Sequence, residues 1–519
     1  MSALELLQRG RRLSPDGPAM IFGDTAIDYA TVIKGVESTA RDLGAAGIGR
    51  GDVVGVLAPN HPSTLIASYA ATTAGATYLP VAGTERAGNI ASLLNRFGAT
   101  MLAYHPDKAD LAAEVRELAN DVRFVPFHPE VCAHLLDLGP VPGDQVGAES
   151  GLMTAPRLTD IAWLGVTGGT TGEPKGVQLS WLAVNAFVQK YLAEFPTPHP
   201  VMLLATPLTH AAGMLALPTI ARGGTLVLTD GLVLPRFLDL IERHQVNELF
   251  LPPTGIYKVM DDPSCQGRDF SSLTNFFYGA APISLPRLRQ AIEVFGPVMT
   301  QSYGQTECHT LISVMKPADH FIDGDITGRV ADDARLSGCG WPSLGTTIEI
   351  RDDDGHILPA GKPGEICVAS DLSMTGYYRS PEATAATLRD GFVRTGDIGF
   401  LDADGCLHII DRQKDLVISG GFNVYPAEVE ATLRRQPGIA DCAVVGLPDA
   451  YWGEILAAAV IPEPGAVLDP EQLSVAVKAE LGPVKTPKHF AVMASFPQSG
   501  TGKILKKDIR EQLAAELVE

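Results

Sequence analysis

The apolar strand Ile161–Val166 runs without a break into Thr167-Gly168-Gly169-Thr170-Thr171-Gly172-Glu173-Pro174-Lys175-Gly176, and Ser180 then caps the helix SWLAVNAFVQKYLAEF. These joined elements constrain the chain more than any other stretch. A continuous apolar strand is one covered on both faces, the habit of parallel sheets. A glycine-rich turn at its end lets backbone N–H groups approach an anion, and Thr170, Thr171 and Lys175 add hydroxyl donors and a positive charge. Strand, loop and helix in that order are expected to form a phosphate cradle. The loop is not of the Walker type, because Pro174 precedes Lys175 and no Ser or Thr follows the lysine.

The same alternation recurs along the first half. Val53–Leu57, a helical pattern over His61–Ala74, and Tyr78–Val81 form one β-α-β unit. Met101–Tyr104, a helix over Ala109–Leu118, and Val122–Pro126 repeat it. Further strands are expected at Val201–Ala205, Thr225–Leu228, Glu248–Leu251, Asn275–Tyr278 and Val298–Ser302. The fold class is therefore α/β, with a large N-terminal domain of αβ-layered, largely parallel sheets. From about residue 340 to 411 the texture changes to a β-rich subdomain, with Asp-Gly turns in DDDG and DADG. The charged segment Asp411–Asp415 marks a break. Residues 412–519 read as a small α+β domain, whose last helix carries Ile509, Leu513 and Leu517 on one face.

Partners are bounded by charge. Sixty acidic residues against 40 basic ones leave a formal charge of −20, which excludes nucleic acid or an anionic membrane as the main partner. No run of about 18 apolar residues is present, so no membrane span is expected. The N-terminus lacks the apolar core of a signal peptide. Seven cysteines without a CxxC pair fit reduced thiols, and the expected location is the cytoplasm.

Five later stretches join the loop. They are Tyr278-Gly279-Ala280-Ala281-Pro282, Ser302-Tyr303-Gly304-Gln305-Thr306-Glu307, Thr395-Gly396-Asp397, Asp411–Asp415 leading into Ile418–Glu428, and Gly500-Thr501-Gly502-Lys503-Ile504-Leu505. Taken singly, each has a plainer reading: a tight turn, a surface glutamate, an Asp turn, a solvated linker, a lysine before a helix. In this order, over nearly the whole chain, they resemble the motifs of the adenylate-forming superfamily, which comprises acyl-CoA synthetases, carrier-loading adenylation domains and luciferases. Two departures stand in the loop. Val166 occupies a position where an aromatic is common, and Gly168 one where serine is usual, which removes a hydroxyl near the β- and γ-phosphates.

The resemblance implies roles. Thr167, Gly168, Gly169, Thr170, Thr171, Gly172 and Lys175 would hold the ATP phosphates. Gly279, Ala280 and Ala281 would flank adenine, Tyr303 would stack on it, and Asp397 and Arg412 would take the ribose. Thr306 would reach the α-phosphate and Glu307 would bind Mg²⁺. Lys503 would bridge the acid and the α-phosphate, Lys414 would be the hinge, and Gly420 and Gly421 would line a pantetheine tunnel for coenzyme A. His210 borders the acyl pocket in that scheme, with Gly213, Met214, Tyr278, Gly279, Gln305, Cys308 and His309 as further lining. Gln305 and His309 are polar candidates for a polar group on the acid. The implied activity is an AMP-forming acid–CoA ligase for a hydrophobic carboxylic acid. Two alternatives stay open: loading of a carrier protein's phosphopantetheine, and a nucleotide-binding protein that has lost catalysis. Retention of Lys175, Glu307, Asp397, Arg412 and Lys503 argues against the last. The expected assembly is a monomer or a homodimer.

Overall fold

The computed structural model describes residues 1–128, 156–167, 174–419, 422–449, 451–498 and 504–516. Within them, two large sheets stand on either side of a helical layer. One has the strand order 341–342, 313–315, 299–303, 275–279, 248–250, 201–204, 225–228, 18–22, 25–28. The other runs 376–377, 175–180, 161–167, 77–81, 53–57, 101–104, 123–126. Their central pairs are parallel. The largest apolar core joins Met20, Met202 and Leu226 of the first sheet to Val54, Val56 and Trp163 of the second. Helix Pro62–Thr73 lies in this layer and is buried on every side, as its near-uniform small and apolar sequence requires. Pro62 at its first position and the His61 side chain, which accepts from the Ser63 N–H, start it. Two further cores cover the outer faces of the sheets.

The expected strand–loop–helix unit is corrected by the structure. Lys175–Ser180 is itself a strand, antiparallel to Ile161–Thr167 with Thr167 opposite Lys175. Val177 and Leu179 are buried and Gln178 between them is half-exposed, the period of a strand. Ser180 does cap the helix Trp181–Glu194, its hydroxyl accepting from the Ala183 N–H. Thr167 and Lys175, which flank residues 168–173, are thus paired strand residues, and the helix begins only after Ser180.

The β-rich region follows as expected, with antiparallel strands Thr346–Arg351, Gly364–Ser370, Phe392–Leu401 and Leu407–Arg412. Beyond it, a separate sheet is built on the long hairpin Ile439–Asp449 and Gly453–Pro462. Alternation along that hairpin serves two cores. Cys442 and Val444 pack with Val429 and Leu433 of helix Pro426–Arg434. Ala443 and Val445 pack with Ile509 and Leu513 of helix Lys506–Glu516. Leu517 lies outside the described residues. Among the described residues no helix is long and apolar enough to cross a membrane.

Candidate active site

At the carboxyl end of strand Met299–Tyr303 lies a polar cavity of about 460 Å³, whose wall includes Gln305, Glu307, Glu365, Tyr377, Thr395 and Gln413. In α/β folds the carboxyl ends of strands are where ligands bind, because the connecting loops diverge there.

Asp397 organises one side. The residue is 3% exposed. One oxygen accepts from the Tyr303 hydroxyl at 2.7 Å and from the Gln305 amide at 2.6 Å; the other faces Arg412 Nε at 3.2 Å. Three expected site residues, Tyr303, Asp397 and Arg412, are thus joined directly. Tyr303 is nearly buried with Cys308, Ile312 and Cys339. Burial and the adjacent carboxylate hold its phenol well above the usual range, so it stays a donor. Gln305 was expected in the acyl pocket. Its amide instead donates to Asp397 and to the Thr395 carbonyl at 3.0 Å, which ties it to the carboxylate.

Glu307 sits in the short turn Thr306–Cys308. Its carboxylate accepts from the Tyr377 hydroxyl at 2.8 Å, and Lys175 Nζ lies over the same tyrosine ring, 4.8 Å from its centre. Tyr377 therefore links the base of the glycine loop to Glu307. Strand pairing of Tyr377 with Val177 sets this up. Thr306 is brought against the same hairpin: its methyl lies so near Gly165 that a Cβ there would come within 2.4 Å of it. Glycine at 165 lets the turn approach the strand. Sequence reasoning missed Tyr377, which stands in a two-residue strand too short to carry a spacing signal, and the pair Arg394–Glu365, which also borders the cavity.

The residues expected to line the acyl pocket do not share one surface. His210 is exposed and precedes helix Ala211–Ala221, with Thr209 Oγ1 2.8 Å from its Nδ1. Gly213 and Met214 lie buried in the first turn of that helix. Tyr278 is the clear correction. It is fully buried in the outer core, and its hydroxyl meets His320 Nε2 at 3.0 Å and Gln301 at 3.2 Å. Its neighbour Phe277 faces the inner core with Met214, because side chains alternate along a strand. Gly279 ends that strand opposite Ser302, and Ala280 beyond it turns outward at φ +65°. Cys308 is wholly buried and its thiol is pushed up to about 12, which keeps it protonated and unreactive. His309, at φ +55°, stacks on Phe187 at 5.3 Å. Burial holds it neutral, down to about 3, and among the described residues neither ring nitrogen has a hydrogen-bond partner.

Beyond strand Leu407–Arg412, whose Arg412 meets Asp397, Gln413 also lines the cavity. Asp411 is buried and accepts from the Ala427 N–H at 2.8 Å, fastening the end of strand Leu407–Arg412 to helix Pro426–Arg434. Lys414 lies in the tight turn Gln413–Asp415. Lys506 pairs with buried Glu430 at 2.8 Å, and Glu430 also accepts from the Val444 N–H at 2.8 Å. Gly168, Gly169, Thr170, Thr171, Gly172, Gly420, Gly421 and Lys503 lie outside the described residues.

A family model described as AMP-binding enzyme matches residues 7–378, and one described as AMP-binding enzyme C-terminal domain matches 428–503. The chain belongs to the AMP-binding enzyme family. As such it is an ATP-dependent, adenylate-forming acid ligase, the class that the ordered motifs implied. This AMP-binding enzyme is 34% identical to a feruloyl-CoA synthase from Amycolatopsis sp over 97% of each chain. It is 32% identical to the medium/long-chain-fatty-acid–CoA ligase FadD8 of Mycobacterium tuberculosis, over 95% of this chain and 87% of that one. Among solved structures, the amide bond synthetase McbA from Marinactinospora thermotolerans superposes with a TM-score of 0.87 at 31% identity, covering 98% of this chain and 99% of that chain.

Proposed function

We propose that this AMP-binding enzyme joins a hydrophobic carboxylic acid, aryl-alkenoic or fatty, to the thiol of coenzyme A. The observation that carries the nucleotide half is the Asp397 cluster. Residues from three motifs, distant in sequence, meet on one buried carboxylate beside a cavity that also holds Glu307. The acid class rests on full-length similarity to a feruloyl-CoA synthase and a fatty-acid–CoA ligase.

The chemistry must first overcome charge. A carboxylate and a polyphosphate repel each other, and the attacking oxygen is a weak nucleophile. Lys175, the backbone N–H groups of the glycine loop, and Lys503 from the second domain lower that repulsion. Asp397 accepts the ribose hydroxyls, and Gly279–Ala281 leave a flat slot for adenine. Glu307 fits a hard cation: its carboxylate is engaged by a neutral phenol, whereas the nearby Glu365 is already taken by Arg394. Mg²⁺ held there would screen the phosphates and stabilise departing pyrophosphate. The substrate oxygen then attacks the α-phosphorus, and a mixed anhydride of acid and AMP remains. In the second step a thiol attacks the acyl carbon and AMP leaves.

We divide the chain at 411/412 and place the hinge at Lys414. Rotation there would withdraw Lys503 and present Gly420 and Gly421 to the thiol. Tyr377 is a positioning residue for Glu307 in this scheme. Tyr377→Phe should raise the Mg²⁺ concentration for half-maximal pyrophosphate release about tenfold, with the Michaelis constant for the acid unchanged. An unaltered Mg²⁺ profile would remove that role.

An acceptor other than a thiol is the second reading, favoured by the likeness to an amide bond synthetase. One experiment separates them. A panel of cinnamic, benzoic and fatty acids is incubated with ATP, Mg²⁺ and, in turn, CoA, a phosphopantetheinyl carrier or an amine, and products are read by mass spectrometry. Acyl-CoA is expected with at least one acid. Amide alone would transfer the assignment to amide synthesis, and acyl-carrier alone to carrier loading. ATP binding without pyrophosphate from any acid would favour a protein that has lost catalysis.

A further inference from the structure

The turn between strands Phe392–Leu401 and Leu407–Arg412 holds a second constellation, remote in role from the nucleotide residues. Phe400 pairs with His408 across the hairpin, and the Asp402 N–H bonds the Cys406 carbonyl at 2.9 Å. Positions 400, 402, 406 and 408 therefore share one face, since side chains alternate along each strand. Three of them carry metal-ligating atoms of different kinds: a carboxylate oxygen, a thiol sulfur and an imidazole nitrogen. These atoms all lie within 4.8 Å of one another. Cys406 is fully buried and His408 nearly so.

The constellation is held in place. One Asp402 oxygen accepts from the N–H groups of Asp404 and Cys406, both at 2.9 Å, which leaves the other to face His408 Nε2 at 3.3 Å. The His408 ring is stacked on Phe400 at 4.7 Å. Gly338 crosses this face so closely that a Cβ would stand 2.6 Å from the Cys406 sulfur and 3.4 Å from the His408 ring. Glycine there keeps both donors clear.

We infer that Asp402, Cys406 and His408 form a zinc site. Sulfur and imidazole select a borderline-soft cation over Mg²⁺ or Ca²⁺. Tetrahedral Zn²⁺ needs its ligands about 3.3–3.8 Å apart, which small side-chain rotations within the 4.8 Å cluster supply. A thiolate and a carboxylate balance the two positive charges. On binding, the Cys406 thiol proton leaves to solvent and the His408 proton resides on Nδ1, so one proton is released per ion. Three protein ligands leave the fourth position to water, the mark of an exchangeable ion. The metal would close the hairpin whose far end carries Asp397 opposite Arg412.

The test uses the whole enzyme after chelator treatment. Zn²⁺ titrated against a chromophoric competitor should bind one equivalent, and Co²⁺ should give a thiolate-to-cobalt charge-transfer band that an ion on Glu307 cannot give. Cys406→Ser should abolish the band. Asp402→Asn, a turn substitution that keeps an oxygen for the two N–H groups, and His408→Ala should each weaken Zn²⁺ by about tenfold or more. Cys442→Ser in the second domain should change neither readout. Absence of the band in the wild type, or Zn²⁺ affinity unchanged in folded Asp402→Asn and His408→Ala, would overturn the assignment.

Discussion

Lys503→Ala is expected to lower adenylate formation by about 10² to 10³, while thiolysis of a supplied acyl-adenylate stays within about threefold of wild type. In the proposed scheme the lysine would supply a positive charge where the acid oxygen and the α-phosphate converge, a charge with no part in the thiol's attack. The geometry around the segment supports such a role. Gln498 bridges Ile504, and the Leu505 N–H donates to the Pro497 carbonyl at 2.9 Å, so the chain on the two sides of residues 499–503 is pinned together. Lys506, three residues on, is tied to Glu430 of helix Pro426–Arg434. Under the proposed rotation, Lys506 and helix Pro426–Arg434 would move together. The two half-reactions are measured separately, by pyrophosphate release and by CoA-dependent consumption of synthetic adenylate. Equal loss in both would remove the assigned role.

The second large effect falls on Asp397. Asn at 397 is nearly isosteric but replaces one acceptor oxygen with an NH₂ group. The carboxylate now accepts from Tyr303 and Gln305 and is ion-paired with Arg412 at 3.2 Å. An amide leaves at least one of these donors facing another donor and removes the charge that holds Arg412. Loss of a charged hydrogen bond at a buried site costs about 2–3 kcal/mol, or roughly 100-fold in kcat/KM for ATP. The loss should appear mainly in the Michaelis constant for ATP, with that of the acid unaffected. A similar rise for the acid would mean that the substitution disturbs the cavity as a whole.

How much of this was legible in the residues differs by element. The strands Val53–Leu57, Met101–Tyr104 and Thr225–Leu228 fall where their continuous apolar runs place them, because strands buried on both faces need no alternation. The same property hid the orientation of Tyr278. With both faces apolar, nothing in the run Phe276–Tyr278 tells which side chain meets the inner core. The strand Lys175–Ser180 was missed because Val177 and Leu179 alone carry its pattern, next to a long helical signal. Gln305 was misread for a different reason: its spacing after Tyr303 marks the turn, but its partner Asp397 lies 92 residues away. Tyr377 is reached only through strand pairing, which single-sequence patterns do not encode.

Oxygen transfer from the acid to AMP tests the central claim most directly. With a carboxylic acid labelled with ¹⁸O in its carboxyl group, together with ATP, Mg²⁺ and CoA, the AMP released is expected to carry one ¹⁸O on its α-phosphate. That oxygen is the one that attacked phosphorus, and it stays with AMP when the thiol takes the acyl group. Unlabelled AMP alongside acyl-CoA, or label recovered in inorganic phosphate with ADP as the nucleotide product, would contradict an acyl-adenylate on the path.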